Sequence, residues 1–121
     1  MKTLGQAAFI ASMMPLAAPA AAAWEPTKPI EIVVPFAPGG SSDQMARTIQ
    51  AAVQKNNLSK HPVVVLNKAA ATGGEAMLEI QKSAGDPHKL LTTSSGIYMT
   101  PLTTKLPVNW RDFTPVAMLA Q

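Results

Sequence analysis

No cysteine occurs in the 121-residue chain. That excludes a disulfide framework, thiol catalysis and any Cys-based zinc site. Aromatic residues make up 5% and charged residues 14%. The 10 basic side chains are scattered against 7 acidic ones and leave a net charge of only +3. No Lys/Arg cluster with interleaved aromatics is formed, which argues against nucleic acid as a partner. His61 and His88 lie far apart with no Cys, Asp or Glu cluster at ligand spacing, so no metal site is expected. Also missing are the Gly-Lys-Ser/Thr run of a Walker A loop and the G-x-G-x-x-G spacing of a dinucleotide fold. No cofactor is therefore expected. The G-x-S-x-G elbow of a serine hydrolase is absent as well.

What is present is a chain 47% hydrophobic, enough for one folded domain at most. The N-terminus has a short basic region, Met1-Lys2, then an apolar run from Ala7 to Ala18. Pro19 leads into Ala20-Ala21-Ala22-Ala23, which offers an A-x-A site before Trp24. This pattern reads as a secretory signal peptide over residues 1–23, not a membrane span. The alternative is a buried N-terminal helix, which Pro15 and Pro19 would break. The mature chain is then expected to be residues 24–121, in the periplasm.

The mature chain is organised around Pro35-Phe36-Ala37-Pro38-Gly39-Gly40-Ser41-Ser42-Asp43. Before it, Ile30 to Val34 is a β-branched run, apolar except at Glu31, and predicts a short buried strand. After it, Met45, Ile49, Ala52 and Val53 recur at helical spacing up to about Lys55, with Asn56-Asn57 as the stop. Ser41, Ser42 and Asp43 are all good N-cap residues. A strand, a Gly-rich turn and a helix start place free N–H groups and the positive end of a helix dipole at one point, which suits an anion. No basic side chain sits in the turn, so a carboxylate fits better than a highly charged phosphate. The alternative is a plain strand-to-helix turn that caps its own helix.

Val63 to Leu66 predicts a second strand, its unbroken apolar run suiting a parallel sheet buried on both faces. A loop from Asn67 to Gly74 follows, then a helix from Glu75 to Lys82 with Met77, Leu78 and Ile80 inward. His88 to Thr93 predicts a third strand, with Ser94-Ser95-Gly96 at its end. Tyr98 to Pro107 reads as mostly loop, Asn109 to Pro115 as a turn, and Val116 to Ala120 as the start of a fourth strand. Trp24 and Trp110 read as packing anchors. In an open parallel sheet ligands collect at the carboxyl ends of the strands. Three loops meet that description, Pro38 to Asp43, Ala71 to Gly74 and Thr93 to Gly96, all rich in Gly, Ser, Thr or Asp that can bring backbone N–H or hydroxyl donors to one crevice.

These residues resemble the Bug or TctC-like family, the substrate-binding proteins of tripartite tricarboxylate transporters. The resemblance rests on Lys28-Pro29-Ile30, then Ile32 through Gly40 with Asp43 and Arg47, then Val63-Val64-Val65 with Asn67-Lys68, Gly73-Gly74, and Asp112 through Ala117. It implies an α/β, periplasmic-binding-protein-like lobe of the type II, Venus flytrap class. It also implies a monomeric, non-enzymatic protein that takes a small organic carboxylate between two lobes and hands it to membrane permease subunits. By match, the resemblance points to Gly39, Gly40, Ser41, Ser42 and Asp43 in the first loop, Thr72, Gly73 and Gly74 in the second, and Ser94 and Ser95 in the third as the ligand-binding residues. Family members are much longer, so residues 24–121 are expected to form the N-terminal part of lobe one, incomplete and aggregation-prone by itself. Three other readings stay open: a secreted hydrolase using the crevice serines, a ligand-sensing module, and a truncated product without activity.

Overall fold

The computed structural model describes residues 24–119. The signal-peptide reading of residues 1–23 lies outside the described residues. Three parallel strands, β1 (Ile30–Val34), β2 (Val63–Asn67) and β3 (Lys89–Leu91), form one sheet in the order β2-β1-β3. Between β1 and β2 runs α1 (Ser41–Lys55), and between β2 and β3 runs α2 (Gly74–Lys82), entered through a 3-10 turn at Ala70–Gly73. After β3 come α3 (Gly96–Thr104) and a 3-10 turn at Trp110–Asp112. The fold is thus a mixed α/β unit built on a parallel sheet, as the sequence and the resemblance led one to expect.

The strand period of two divides β1 between two faces. Ile32 pairs with Val65 and Leu90 across the sheet. On that face Ile32, Val34, Ala46 and Val63 form a buried core, with Ile49 and Val53 of α1 packed against it. The apolar stripe of α1 is therefore what closes this side. Glu31 and Val33 point to the other face, where α2 buries Ala76 and Met77. Here Glu31 lies opposite Lys89 in register. Lys89 Nζ is 3.1 Å from Glu31 and 2.9 Å from Glu79 of α2, and Lys68 binds the second oxygen of Glu79. This ladder ties α2 to the edge of the sheet. Lys68 and then Lys89 hold the Glu79 carboxyl below its usual range, and Glu79 raises both lysines.

Several expectations need correction. The segment read as mostly loop from Tyr98 is helical from Gly96 to Thr104. Pro101 stands inside that helix and removes one amide donor. Thr103 and Thr104 hydroxyls donate to the Met99 and Thr100 carbonyls, and Thr100 Oγ1 donates to Thr72 O at 3.2 Å, which fixes the helix onto the preceding loop. The fourth strand is not seen among the described residues. Residues 116–119 are irregular, with Val116 78% exposed. The run at β2 is not buried on both faces, since Val64 is exposed. In α2, Leu78 and Ile80 are half-buried, and Ala76 fills the inner place beside Met77. Trp24 and Trp110 are partly exposed anchors. Trp24 lies against the His88 ring at 5.4 Å between centroids, and Trp110 lies against Tyr98 at 5.9 Å.

Candidate functional site

The loop after β1 turns at Gly39, whose φ of +87° lies in the left-handed region that favours glycine. Gly40 is extended, with φ −75° and ψ 171°, and is the N-cap residue of α1. No side chain caps this helix. Ser41, Ser42 and Asp43, expected as caps, all lie inside its first turn. Asp43 reaches backward instead. Its Oδ2 accepts from Gly39 N–H at 2.8 Å and from Arg47 Nε at 2.9 Å, and its Oδ1 accepts from Asn67 Nδ2 at 2.9 Å. The same Asn67 amide donates to Phe36 O at 3.2 Å. Gln44 Nε2 donates to Gly39 O at 3.0 Å, a further tie between loop and helix.

Gln44 is the first amide of α1 to find a partner, in Gly40 O at 2.9 Å. The Ser41, Ser42 and Asp43 N–H groups precede it and have no carbonyl acceptor, as the geometry of a helix start dictates. Ser41 and Ser42 line a cleft of about 390 Å³ together with Phe36, Ala37, Pro38, Gly40 and, from the β3 end, Ser94. No charged side chain lines this cleft. Its polarity comes from the helix-start amides, the three hydroxyls of Ser41, Ser42 and Ser94, and the positive end of α1. Such a set suits an acceptor-rich anion of low charge.

The expected site residues separate into two groups. Gly40, Ser41, Ser42 and Ser94 come together in the cleft. Gly39 shapes the loop, but its N–H is engaged by Asp43. Asp43 is buried, with 2% of its surface exposed, and both carboxylate oxygens are occupied. Thr72, Gly73 and Gly74 do not line the cleft. Gly73 and Gly74 are buried, and a Cβ at Gly73 would come within 2.7 Å of Pro35. A Cβ at Gly74 would overlap Leu106. Gly73 lets the second loop press on the back of the first, and Gly74 lets it pack against the segment after α3. Ser95 caps α3 through its carbonyl, which accepts from Tyr98 and Met99 amides. The cleft walls Phe36, Ala37 and Pro38 and the supporting Arg47 and Asn67 were not among the candidates. An Asp followed four residues later by Arg on one helix face was the available signal for Arg47.

Neither histidine shares the cleft. His88 precedes β3, at the opposite end of the sheet, where Thr27 N–H donates to its Nε2 at 3.1 Å. Its Nδ1 lies 3.0 Å from Asp86. His61 stands before β2, at that same far end. The crevice serines therefore have no imidazole to serve as a base.

Two outcomes follow from the loop geometry. Gly40→Ala should be nearly neutral, because φ is negative there and the new Cβ would meet only Ala37 O at 3.7 Å. Gly39→Ala should cost roughly 1–2 kcal/mol from left-handed strain alone, since nothing lies within 4 Å of its Cβ. Urea unfolding of the two variants checks the order, and equal midpoints would refute it. The second outcome concerns pH. Asp43 is held down to about 2 by the hydrogen bonds from Arg47, Gly39 and Asn67. The unfolded carboxyl, near 3.8, takes its proton first. Stability from this group is therefore complete above the ordinary carboxylate range and is lost as pH falls through about 2. Asp86, lowered chiefly by Lys28 and then by His88, and Glu79 act in the same direction. The urea midpoint should fall steadily on acidification, and a flat profile below pH 3.8 would contradict the assignment.

No family model matches the chain. Individual proteins do. The protein BugT of Bordetella pertussis is 39% identical over 111 residues, covering 86% of this chain and 32% of BugT. A UPF0065 protein from the tcbD-tcbE intergenic region of Pseudomonas sp. is 34% identical over 97 residues, covering 78% of this chain and 28% of that protein. Over the stretch it spans, the chain is homologous to proteins of the Bug family. Another Bug-family relative, the UPF0065 protein in the gbd 5′ region of Cupriavidus necator, is 35% identical and covers 70% of this chain. The chain spans less than a third of the length of these Bug-family relatives. Among solved structures, one described as a periplasmic transporter is 36% identical, with a TM-score of 0.48 over 55% of this chain and 21% of its own.

Proposed function

We propose that this chain is the N-terminal part of a periplasmic solute-binding protein that captures a small organic carboxylate for a tripartite tricarboxylate transporter. Residues 1–23 direct export, and residues 24–121 contribute part of the first of two lobes. Membrane permease subunits are the receiving partners. The observation that carries the reading is the open helix-start amides of Ser41 and Ser42, two residues of a cleft that Ser94 also lines and no cationic side chain enters. Two amides and nearby hydroxyls match the two oxygens of a carboxylate. A phosphate of higher charge would find no Lys or Arg there to balance it. The distance of both histidines from the crevice serines supports binding without chemistry.

The test is a nuclear magnetic resonance titration with millimolar citrate, succinate and glutamate, the weak regime an open cleft calls for. The Ser41 and Ser42 amide resonances should shift with at least one of the three, more than those of α2. Shifts confined to other regions, or none at millimolar concentration, would overturn the reading. Mass spectrometry of the exported form should place its first residue at Trp24.

A further inference from the structure

We propose that Asp43 is the positioning residue of the cleft: its carboxylate contacts no solute and instead aims the Ser41 and Ser42 amides by fixing three elements to one point. The inference rests on the carboxylate reading only for the identity of the solute. Gly39 from the loop, Arg47 from α1 and Asn67 from the end of β2 each donate to this one buried group. The side chain is 3% exposed, so it presents almost nothing to the cleft. A buried carboxylate persists only when its oxygens are hydrogen-bonded, and here they are bonded to partners 4 and 24 residues away. Asn67 extends the clamp by also donating to Phe36 O, so the loop is held near its start and at its turn.

The clamp also decides which donors remain for a ligand. The Gly39 N–H, one residue before the cap, would otherwise join the open amides. The Arg47 guanidinium, four residues on, is the cation nearest to Asp43, and its Nε is engaged by the same oxygen. What is left is the set of neutral amides of a helix start, with Ser41 and Ser42 at the cleft. Asp43 thus sets both the direction of the donors and the low charge of the cleft. A ligand of modest charge follows from that arrangement, whatever its exact skeleton.

The full chain is to be tested as the parent and as Asp43→Ala, Asp43→Asn and Asn67→Ala. In the parent, the Gly39 amide proton should sit far downfield and titrate with the Asp43 carboxyl as pH is lowered from neutrality. In Asp43→Ala, Gly39 amide exchange should quicken about tenfold to a hundredfold, as loss of a charge-assisted bond implies, while Val33 and Val34 exchange stays unchanged. In Asn67→Ala, the Gly39 bond should persist while the Ser41 and Ser42 amides shift. If the Asp43 variants do not fold, the parent titration and Asn67→Ala decide alone. A Gly39 amide indifferent to Asp43 ionisation, or Ser41 and Ser42 amides unmoved in Asn67→Ala, would overturn the positioning role. Intact Gly39 effects with no response of the parent to citrate would support positioning and overturn only the carboxylate reading.

Discussion

Gly73→Ala should destabilise the fold by about 2–5 kcal/mol, the sum of left-handed strain and overpacking. The φ of Gly73 is +83°, so a side chain there is strained before any contact is counted. The added Cβ would also stand 2.7 Å from both the Cβ and the carbonyl oxygen of Pro35. Neither can yield easily. Pro35 is buried and directly follows β1, so its backbone is fixed by the central strand. On the other side, the carbonyl of Thr72 is held by Thr100 of α3. A loss of this size is a large share of the 5–15 kcal/mol that a domain commonly has in hand. Gly39→Ala is the internal control, since it has the same sign of φ but open space around its Cβ. Thermal and urea unfolding of both variants should show Gly73→Ala as much the worse. Equal destabilisation would mean that strain alone matters and that the second loop does not brace the first.

That contrast shows what a sequence can and cannot state about glycine. Gly39-Gly40 and Gly73-Gly74 look alike on paper: each follows a strand and precedes a helix. Both pairs permit close approach of backbone to something. At Gly40 the neighbour is an open cleft, whereas at Gly73 it is Pro35 of the same chain. Only the three-dimensional arrangement tells these apart. The first two strands and helices were legible because β-branched runs end at Pro35 and Asn67 and are followed by Gly-rich turns that open helices. Asn57 even adopts the left-handed conformation expected of a helix stop. The third helix was hidden by Pro101, because the threonine hydroxyls that return bonds to its carbonyls leave no periodic pattern. Asp43 was read as a cap from its place at a helix start, and as a ligand residue from the family resemblance. Its inward role depends on Asn67, 24 residues on, and no local pattern announces that pairing.

The chain of 121 residues is expected to self-associate and to bind citrate no better than millimolar. The order β2-β1-β3 leaves β2 with one side unpaired among the described residues. Its sequence, Val63-Val64-Val65-Leu66-Asn67, carries no charge, and Val64 is 36% exposed. An uncharged β-branched edge is a template for pairing with another copy. The other edge, β3, is only three residues long and carries Lys89, which makes it the weaker template. Leu102, Val116 and Leu119 add exposed apolar surface. The cleft itself is walled from one side by the first loop and Ser94, so a bound carboxylate keeps much of its surface in water. Tight small-molecule sites enclose most of the ligand. Light scattering across a concentration series should show association that Val64→Lys reduces, because an edge lysine blunts strand addition while leaving the buried core untouched. Micromolar citrate should leave the unfolding temperature unchanged, since ligand far below its dissociation constant contributes almost nothing to stability. A monomer at every concentration, whose cooperative transition rises with micromolar citrate, would show instead that these residues already make a complete and closed binding module.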